Sequence, residues 1–531
     1  MSGMLRKIGL YLHTIRYLKW EQLWRRVAFM CFPRRVGREG LPAAVISPSP
    51  LRTAFPAGYA CFTAPGRFEF LNDARDFGGW NDPGCGKLWL YNLHYFDLLR
   101  QPGLPEAEGT RWIARWIAEN PPFSGNGWEP YPVSLRIVNW IKWARSGHSL
   151  DAAAAASLAL QARHLCAHPE RHLLANHLLA NAKALFFAGC FFAGKEAEMW
   201  RRTALELYRE QLPEQILADG GHFERSPMYH SIILEDLLDA ANLGATSEFD
   251  GAIRRMLDAL AVMTAPDGRI AHFNDSADGI ALPPERLFDY AERLGFARPA
   301  PVAASCDLPD TGYARLVSGE WTLLADGGAI GPDHQPGHAH ADTLSFELWH
   351  GTAPLVVDSG VGEYVATALR RYQRGTAAHN TLELDGRNSS EVWGAHRVAR
   401  RARIVARQFR GNTFVAEHDG YAPVRHRREW QVEPRFVRVT DALTGRGAHR
   451  AAIYWHFQPG AELQVASPGV VEIASGGRRF VLRCPEQWQV ELASGRFSPE
   501  FGRVEAEPVL VLSGEFTLPV TAETTIEEAA A

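Results

Sequence analysis

The sequence has no apolar run long enough to predict a membrane-spanning helix. Such a helix needs about 18 or more consecutive apolar residues. The most apolar stretch covers only residues 184–193 and has the sequence ALFFAGCFFA. A stretch of this length is typical of a buried helix in a globular protein.

Cysteines are few and widely separated. The chain has seven, and no two of them form a CxxC pair. A thiolate zinc site is therefore not predicted, and the odd number argues against a dense disulfide framework. The N-terminus also lacks the unbroken apolar core of a secretory signal peptide. We expect a bacterial protein of either the periplasm or the cytoplasm.

An excess of charge of either sign is also absent. Lys and Arg total 56 against 60 Asp and Glu, so the formal net charge is −4 and nucleic acid is not a predicted partner. Basic residues do interrupt the apolar positions of residues 4–29: Arg6, Lys7, Arg16, Lys19, Arg25 and Arg26. This pattern predicts a helix packed on the main body; the alternative is an amphipathic helix that contacts a membrane surface.

The length of 531 residues suggests two or three domains. Residues 1–87 are predicted to form the basic helix and an irregular connector rich in Pro and Gly. Residues 88–302 are predicted to form a helical domain, because seven segments there have helical apolar spacing. The segments are 110–118, 133–146, 152–167, 173–193, 196–211, 229–243 and 249–265.

Residues 303–531 have a different pattern, with short runs of β-forming residues bounded by Gly, Asp or Asn. We expect antiparallel strands joined by turns. Helices followed by strands predict two segregated domains of the α+β class, not a parallel α/β sheet. The predicted strands are 313–317, 321–325, 344–349, 355–358, 381–384, 403–406, 413–416, 436–440, 452–457 and 509–512.

Two polar motifs lie in the helical region. The first places Asn176 and His177 among leucines; on a helix, His172 would share a face with Asn176. Buried polar groups of this kind need partners, so they form either a site or a satisfied internal network. In the second motif, a glycine pair at 220–221 ends a helix and Ser226-Pro227 begins the next, with Tyr229 in its first turn.

Tyr229 is a candidate for acid/base chemistry because Arg225 and His230 lie beside it in the sequence. Ordinary packing of the phenol is the alternative interpretation. Aromatic and cationic residues also suit an anionic sugar chain, since rings stack on sugars and guanidinium groups pair with carboxylates. Trp128, Tyr131 and Tyr372 are candidates for this role.

A third motif lies in the strand region and contains His338 and His340. On a strand, two histidines separated by one residue project to the same face. Together with Asp358 and His379, His340 provides two imidazoles and a carboxylate, which suit zinc or a similar divalent ion. Histidines hydrogen-bonded in turns are the alternative interpretation.

Taken together, these motifs resemble the heparinase II/III-like polysaccharide lyases over about residues 88–515. The resemblance is carried by Asn176-His177, the segment 224–229, Gly337-His-Ala-His-Ala-Asp342, Val357-Asp-Ser-Gly360 and Ala378-His-Asn-Thr-Leu382. It implies an incomplete (α/α) toroid followed by an antiparallel β-sandwich. It also implies cleavage of an anionic, uronic-acid-containing polysaccharide by β-elimination, the polymer being heparin-like or a bacterial exopolysaccharide.

The resemblance also implies roles for individual residues. Asn176 matches the position that neutralises the uronate carboxylate, with His177 as a helper. Tyr229 matches the general acid that protonates the departing O4 oxygen, and it serves as base as well when the geometry is syn. His338 matches the second acid/base residue.

The zinc-containing relatives imply a structural metal at His340, Asp358 and His379, and Tyr372 matches an additional tyrosine of the cleft. Two other functions are compatible with the same motifs. One is a glycoside hydrolase that pairs Glu224 with Asp275 or Asp342. The other is a non-catalytic polysaccharide-binding or assembly factor of an envelope-polysaccharide pathway.

Overall fold

The structure is a computed structural model that describes residues 2–31, 36, 51–244 and 248–529. Within these residues the basic N-terminus forms two helices, α1 (Ser2–Ile15) and α2 (Trp20–Cys31). The single predicted helix is therefore interrupted by a turn at residues 16–18. The part of the predicted connector at 32–35 and 37–50 lies outside the described residues.

The helical domain follows the predicted pattern. All seven predicted helices form, as α4 to α10, and two further helices, α3 and α11, flank them within the described residues. The helices are α3 (Lys87–Tyr95), α4 (Glu106–Glu119), α5 (Pro130–Arg145), α6 (Ala152–Ala167), α7 (Ala175–Phe191), α8 (Lys195–Gln215), α9 (Pro227–Asn242), α10 (Asp250–Met263) and α11 (Pro284–Arg293).

A small sheet in the N-terminal region packs on this domain. It consists of β1 (Phe62–Ala64), β2 (Arg67–Phe70) and β3 (Asp73–Asp76), which pair in that order. Phe68 and Phe70 of β2 are buried in the same hydrophobic core as Trp112 of α4. The ring centroids of Phe68 and Trp112 are 4.9 Å apart. This part of the chain therefore shares the core of the helical domain.

The remainder of the chain forms antiparallel sheets, as predicted. A five-stranded sheet has the order β4-β5-β6-β7-β8, with β4 (Cys306–Leu308), β5 (Tyr313–Ser318), β6 (Trp321–Asp326), β7 (Phe346–His350) and β8 (Ala353–Val356). The segment after it contains the short helix α12 (Ala368–Gln373), strand β9 (Leu382–Leu384), and a hairpin of β10 (Val392–Trp393) and β11 (Arg397–Val398).

Two further sheets complete the domain. The eight-stranded sheet has the order β12-β13-β14-β15-β22-β19-β18-β17, and a four-stranded sheet has the order β20-β21-β16-β9. Their strands are β12 (Ile404–Arg410), β13 (Thr413–His418), β14 (Arg425–Val432), β15 (Phe436–Thr444), β16 (Ala448–His456), β17 (Glu462–Ser467), β18 (Val470–Ser475), β19 (Arg478–Arg483), β20 (Gln489–Phe497), β21 (Glu505–Thr517) and β22 (Val520–Glu528).

Alternating burial explains how these sheets enclose a core. In β14 and β15 every second residue is buried, as expected for strands with one face packed and one face solvated. Trp430 of β14 and Trp455 of β16 are fully buried in the same core. The helical toroid followed by an antiparallel sandwich, predicted from the resemblance, is confirmed. Among the described residues, no helix has both the length and the apolar character needed to cross a bilayer.

The helical and β domains are joined by a small apolar cluster and by hydrogen bonds. Met263 at the end of α10 packs with Leu324 of β6 and Trp349 of β7. The Asp219 carboxylate, in the loop after α8, accepts hydrogen bonds from the backbone N–H groups of Asp310 and Thr311, at 2.8 and 2.7 Å. The Thr311 hydroxyl donates to the same carboxylate at 2.8 Å.

We predict that Asp219→Ala lowers the free energy of unfolding by about 2–3 kcal/mol, because hydrogen bonds to a charged acceptor contribute more than neutral ones. Urea unfolding followed by fluorescence measures the change. Asp258→Ala, on the exposed face of α10, is the matched control and is expected to stay within about 0.5 kcal/mol of the unmodified protein. Equal losses for the two variants would contradict the prediction.

Candidate active site

Asn176, Tyr229 and His338 lie together where the helical domain meets the β domain. The Nδ2 atom of Asn176 is 3.4 Å from Nε2 of His338. The Tyr229 and His338 rings are stacked, with centroids 3.9 Å apart and planes inclined by 28°. An amide, a phenol and an imidazole from two domains are therefore close enough to contact one sugar ring.

Asn176 is positioned by the beginning of a helix. Helix α7 begins at Ala175, so His172 lies in the preceding turn and not on the helix, contrary to the prediction. First-turn N–H groups have no acceptor within their own helix. Here Glu224 accepts the backbone N–H of Asn176 at 3.2 Å, and the Asn176 Nδ2 atom lies 3.0 Å from both carboxylate oxygens. Glu224 thus holds both the helix end and the side-chain amide.

Tyr229 lies in the first turn of α9, as predicted. The Ser226 hydroxyl caps the helix by accepting the Tyr229 N–H at 3.2 Å, and Pro227 occupies the first helical position. Helix α8, however, ends at Gln215, so the glycine pair belongs to the turn after it. Burial raises the pKa of Tyr229 well above the usual value of 10. The phenol is therefore protonated at neutral pH, as a general acid must be before it reacts.

His338 lies in a turn between β6 and β7. The predicted strand is therefore absent at this motif, although both histidines still reach the same partner. The Nδ1 atom of His338 is 3.0 Å from an oxygen of Asp275. Because a carboxylate accepts from an N–H, this contact places the proton on Nδ1 and leaves the Nε2 lone pair beside Asn176.

Asp275 connects the parts of the site. Its carboxylate is fully buried and contacts His338, His340 at 2.8 Å, and the Arg370 guanidinium at 2.8 Å. Burial alone would raise the pKa of Asp275, but Arg370 and the two histidines hold it well below the usual range. The group is therefore a carboxylate, which orients His338 and neutralises Arg370.

A group of potential metal ligands adjoins this carboxylate. One ligand atom from each of His340, Asp342 and His379 lies within 4.8 Å of the others. Within the described part of the chain, Nδ1 of His340 and Nε2 of His379 are buried without a hydrogen-bond partner. Their other ring nitrogens contact Asp275 and Asp358 respectively, each at 2.8 Å. Two buried ring nitrogens without a partner thus belong to residues grouped with a carboxylate, a set of donors that fits a divalent metal ion.

The carboxylate of this group differs from the predicted one. Asp342 lies with the two histidines, whereas Asp358 contacts Nδ1 of His379 and accepts the Gly360 N–H at 3.0 Å. In this structure Asp358 therefore orients a histidine, as outer carboxylates at metal sites commonly do.

Three residues predicted to bind substrate are occupied by internal contacts. Trp128 is 5% exposed and packs against other aromatic rings in the helical core. The Arg225 guanidinium donates to the carbonyls of Asp310 and Thr311. His230 accepts the His222 N–H at Nδ1 and contacts a backbone carbonyl at Nε2. These contacts lie within the helical domain or join it to the β domain, and substrate binding by the three residues stays a prediction.

Two other candidates adjoin Asn176. The rings of His177 and Tyr131 lie with centroids 4.5 Å apart, and Nδ1 of His177 is 3.1 Å from Glu170. Burial lowers the pKa of His177, but the Glu170 carboxylate outweighs this effect and the net shift is upward. The protonated imidazole is favoured, and it suits an anionic ligand.

The tyrosine beside Tyr229 is Tyr364 and not Tyr372. The hydroxyls of Tyr364 and Tyr229 are 3.3 Å apart, while the Tyr372 hydroxyl accepts the Arg496 N–H at 3.4 Å. His396 also packs edge-on to Tyr364, with centroids 5.2 Å apart. Sequence reasoning missed Tyr364 and His396, because neither belongs to a motif of charged or paired residues.

Comparisons with known proteins identify two family models that match most of the chain. The family model described as heparinase II/III N-terminus matches residues 112–284, and the model described as heparinase II/III-like, C-terminal, matches residues 300–524. This protein belongs to the heparinase II/III-like family. The two matches lie on either side of the junction between the helical and β domains.

Similar proteins carry more than one name. A heparin-sulfate lyase of Bacteroides stercoris is 26% identical over 314 residues, which cover 53% of this chain and 45% of that protein. An FtsZ-localized protein C of Caulobacter vibrioides is 27% identical over 320 residues, covering 56% and 53%. The chain thus matches about half the length of these relatives. A crystal structure of heparinase III has the same fold, with a TM-score of 0.71, 20% identity and coverage of 86% and 80%.

We predict that Asp275→Asn destabilises the protein by about 3–5 kcal/mol at neutral pH, because it leaves the buried Arg370 guanidinium without a counter-ion. Urea unfolding measures the difference. Asp258→Asn makes the same change on the exposed face of α10 and is expected to have little effect. A loss below about 1 kcal/mol for Asp275→Asn would show that the buried charge pair is less important than its geometry suggests.

Proposed function

We propose that this protein is a carbon–oxygen lyase that cleaves a uronic-acid-containing polysaccharide by β-elimination. The observation that carries the proposal is the convergence of Asn176, Tyr229 and His338 at the domain junction. The family membership supports the same chemistry. The polymer is a bacterial exopolysaccharide or a heparin-like glycan that contains a uronate.

The reaction requires removal of the C5 proton of the uronate, which is a weak acid because the adjacent carboxylate resists further negative charge. Donors directed at that carboxylate stabilise the enolate-like intermediate. One N–H of the Asn176 amide is bonded to Glu224, and the second, which lies beside His338, is assigned as one donor. The His177 imidazole, whose pKa is raised, supplies a second donor. These two residues neutralise the carboxylate.

Proton transfer is assigned to His338 and Tyr229. Asp275 holds the proton on Nδ1 of His338 and leaves a lone pair on Nε2, next to Asn176, so we assign His338 as the base that removes the C5 proton. Tyr229, whose pKa is raised by burial, is the acid that protonates the departing O4 oxygen. The C4–O bond then breaks, and a double bond forms between C4 and C5.

Two arginines next to the site, Arg370 and Arg374, are bonded within the protein and are not assigned to substrate recognition. The Arg370 guanidinium is bound to Asp275, and the Arg374 guanidinium donates to the Ala339 carbonyl at 2.8 Å. Both side chains are buried. Both guanidinium groups therefore bind other parts of the protein, and neither is available to pair with a sulfate group.

A hydrolase that uses Glu224 and Asp275 agrees less well with the geometry. A hydrolase needs one protonated carboxyl group as its acid, whereas Arg370 keeps the pKa of Asp275 well below its usual range. Glu224 is fully engaged by the amide and backbone of Asn176. The alternative is a non-catalytic role in polysaccharide binding or assembly, which the following experiment distinguishes from a lyase.

We predict that Tyr229→Phe reduces the elimination rate by about 10²–10⁴-fold, because it removes the proton donor. The assay follows the ultraviolet absorbance of the unsaturated uronate across a panel of uronate polymers. Tyr59→Phe, which changes a hydroxyl bonded to the Ala281 carbonyl, is the control and is expected to retain full activity. If no polymer gives the chromophore, or if Tyr229→Phe is fully active, the lyase proposal is wrong.

We propose further that His340, Asp342 and His379 hold one divalent ion, zinc being the metal that this ligand set suits. When bound, the ion supplies structural cross-linking between the segment that carries His338 and the segment that carries His379. Elimination itself is assigned to the protein side chains described above.

We predict that metal-free protein takes up one zinc ion per chain and gains thermal stability when it does. His379→Ala is expected to abolish uptake, since it removes a ligand, while His449→Ala at the surface leaves it unchanged. Asp358→Asn is expected to lower the affinity for zinc by about 10–100-fold. Asp342→Asn is expected to lower it further, because it changes a direct ligand. Zinc analysis and calorimetric titration measure both effects; unchanged uptake in His379→Ala would place the metal elsewhere.

A further inference from the structure

Exposed apolar side chains are concentrated on the two N-terminal helices. Of the 17 large apolar side chains that are exposed in the described residues, nine lie between residues 4 and 27. Single exposed apolar residues are ordinary on protein surfaces, but a contiguous set indicates contact with another apolar phase. Neither the family motifs nor the proposed reaction uses this part of the chain.

The exposed residues form a stripe along each helix. In α1, Leu5, Ile8, Leu12 and Ile15 recur at intervals of three or four residues, and Leu5 and Leu12 are each 64% exposed. This spacing places them on one face. We call these four residues, together with the exposed face of α2, the N-terminal apolar stripe.

The exposed face of α2 continues the pattern with Trp20, Trp24 and Val27. Trp20 is 77% exposed and Trp24 is 43% exposed. Tryptophan is enriched at the interface between lipid headgroups and acyl chains, where its ring and its N–H are both satisfied. Helices α1 and α2 are too short to span a bilayer, so they would lie along its surface.

Contacts with the β domain fix which side of the helices faces outward. The Thr14 hydroxyl lies 3.3 Å from the Val398 carbonyl, and the Gln22 amide donates to the His334 carbonyl at 3.2 Å. Trp393 donates to the Thr14 hydroxyl at 3.1 Å. The polar side of the helix pair is therefore attached to the body, and the N-terminal apolar stripe is left on the outside.

The charge of this region is opposite to that of the remaining chain. Residues 1–38 contain nine Lys and Arg and one acid, a net charge of +8. Since the whole chain carries −4, the remaining residues carry −12. Arg6, Lys7, Arg16 and Arg26 are exposed on or between the same two helices. This segment therefore complements a negatively charged surface.

We propose that the N-terminal apolar stripe attaches this protein to the surface of a bilayer that contains anionic lipids. The aliphatic side chains enter the boundary of the acyl region, and the flanking cations pair with lipid headgroups. An anionic polysaccharide would satisfy the cations but leave Leu5, Ile8 and Leu12 in water. A second copy of the chain would bring two positive segments together, which is unfavourable.

The attached helices contact the hairpin that reaches the candidate active site. Tyr11 of α1 packs edge-on to Trp393 at 4.8 Å, and His396 in the same hairpin packs on Tyr364. Attachment would therefore hold the cleft beside the membrane surface. The proposed attachment does not depend on the lyase proposal, because it rests on different residues.

We predict that the full chain co-sediments with phosphatidylcholine vesicles that contain phosphatidylglycerol, and much less with phosphatidylcholine alone. Leu5→Glu/Leu12→Glu is expected to reduce the binding constant by about tenfold or more, because it removes two inserting side chains. Val405→Glu/Val465→Glu changes two valines of the β domain with 44% and 43% exposure and is the matched control. Arg6→Glu/Arg26→Glu should also weaken binding, and added salt should do the same.

Several results would overturn the proposal. The unmodified protein could bind neither vesicle, or the Leu5→Glu/Leu12→Glu variant could bind as strongly as the unmodified protein. A dimer that this variant dissociates in sedimentation velocity would identify a contact between copies instead. Loss of binding to a soluble uronate polymer in the same variant would identify a polysaccharide surface. Elimination of a soluble polymer should be unchanged by the variant, so failure of the lyase assay and failure of attachment are distinguishable.

Discussion

The buried Asp275 carboxylate is the interaction on which the site depends. It contacts the Arg370 guanidinium, the ring of His338 and the ring of His340. A charge in the interior is tolerated only when it is paired and hydrogen-bonded. The same pairing gives His338 its tautomer and leaves Nδ1 of His340 free to bind a metal. One carboxylate thus links the proposed acid/base residue His338 to the candidate metal centre.

The position of the site follows from the way the two domains meet. Helices α7 and α9 present Asn176 and Tyr229 from their first turns, where the backbone is fixed by Glu224 and by Ser226. His338 comes from a loop of the β domain. Asp219 and Arg225 bind the beginning of the β domain directly after the helical part. These hydrogen bonds between the domains therefore involve residues that lie close to Glu224 and Tyr229 in the sequence.

The N-terminal helices pack on the hairpin next to the candidate active site and expose their other side to the exterior. Their polar side is bound to the hairpin of β10 and β11 and to the segment before His338, while their apolar side faces outward. A polysaccharide lyase attached in this way would act on polymer close to a lipid surface. Such an arrangement suits a protein whose own body carries a net negative charge, since only the basic segment is attracted to anionic lipids.

Much of the fold could be predicted from the sequence alone. Apolar spacing located seven helices, and runs of β-forming residues located most strands between 313 and 457. Strand β14, with the sequence RHRREWQV, was missed because its buried face carries His426 and Arg428. Asp441 is hydrogen-bonded to His426 and neutralises Arg428. Strands β17 to β20 were missed because polar and charged residues interrupt their short apolar runs, as in ELQVAS of β17 and VVEIAS of β18.

For the site, the sequence by itself determined the chemical groups and their order along the chain: the amide at 176, the phenol at 229 and the histidines of the His-x-His motif. Only the tertiary structure decided which groups meet. It placed Tyr364 instead of Tyr372 beside Tyr229, Asp342 instead of Asp358 with the two histidines, and Asp275 at the centre. The reason is physical: these contacts join residues far apart in the chain, and backbone turns, not local periodicity, direct the side chains toward one another.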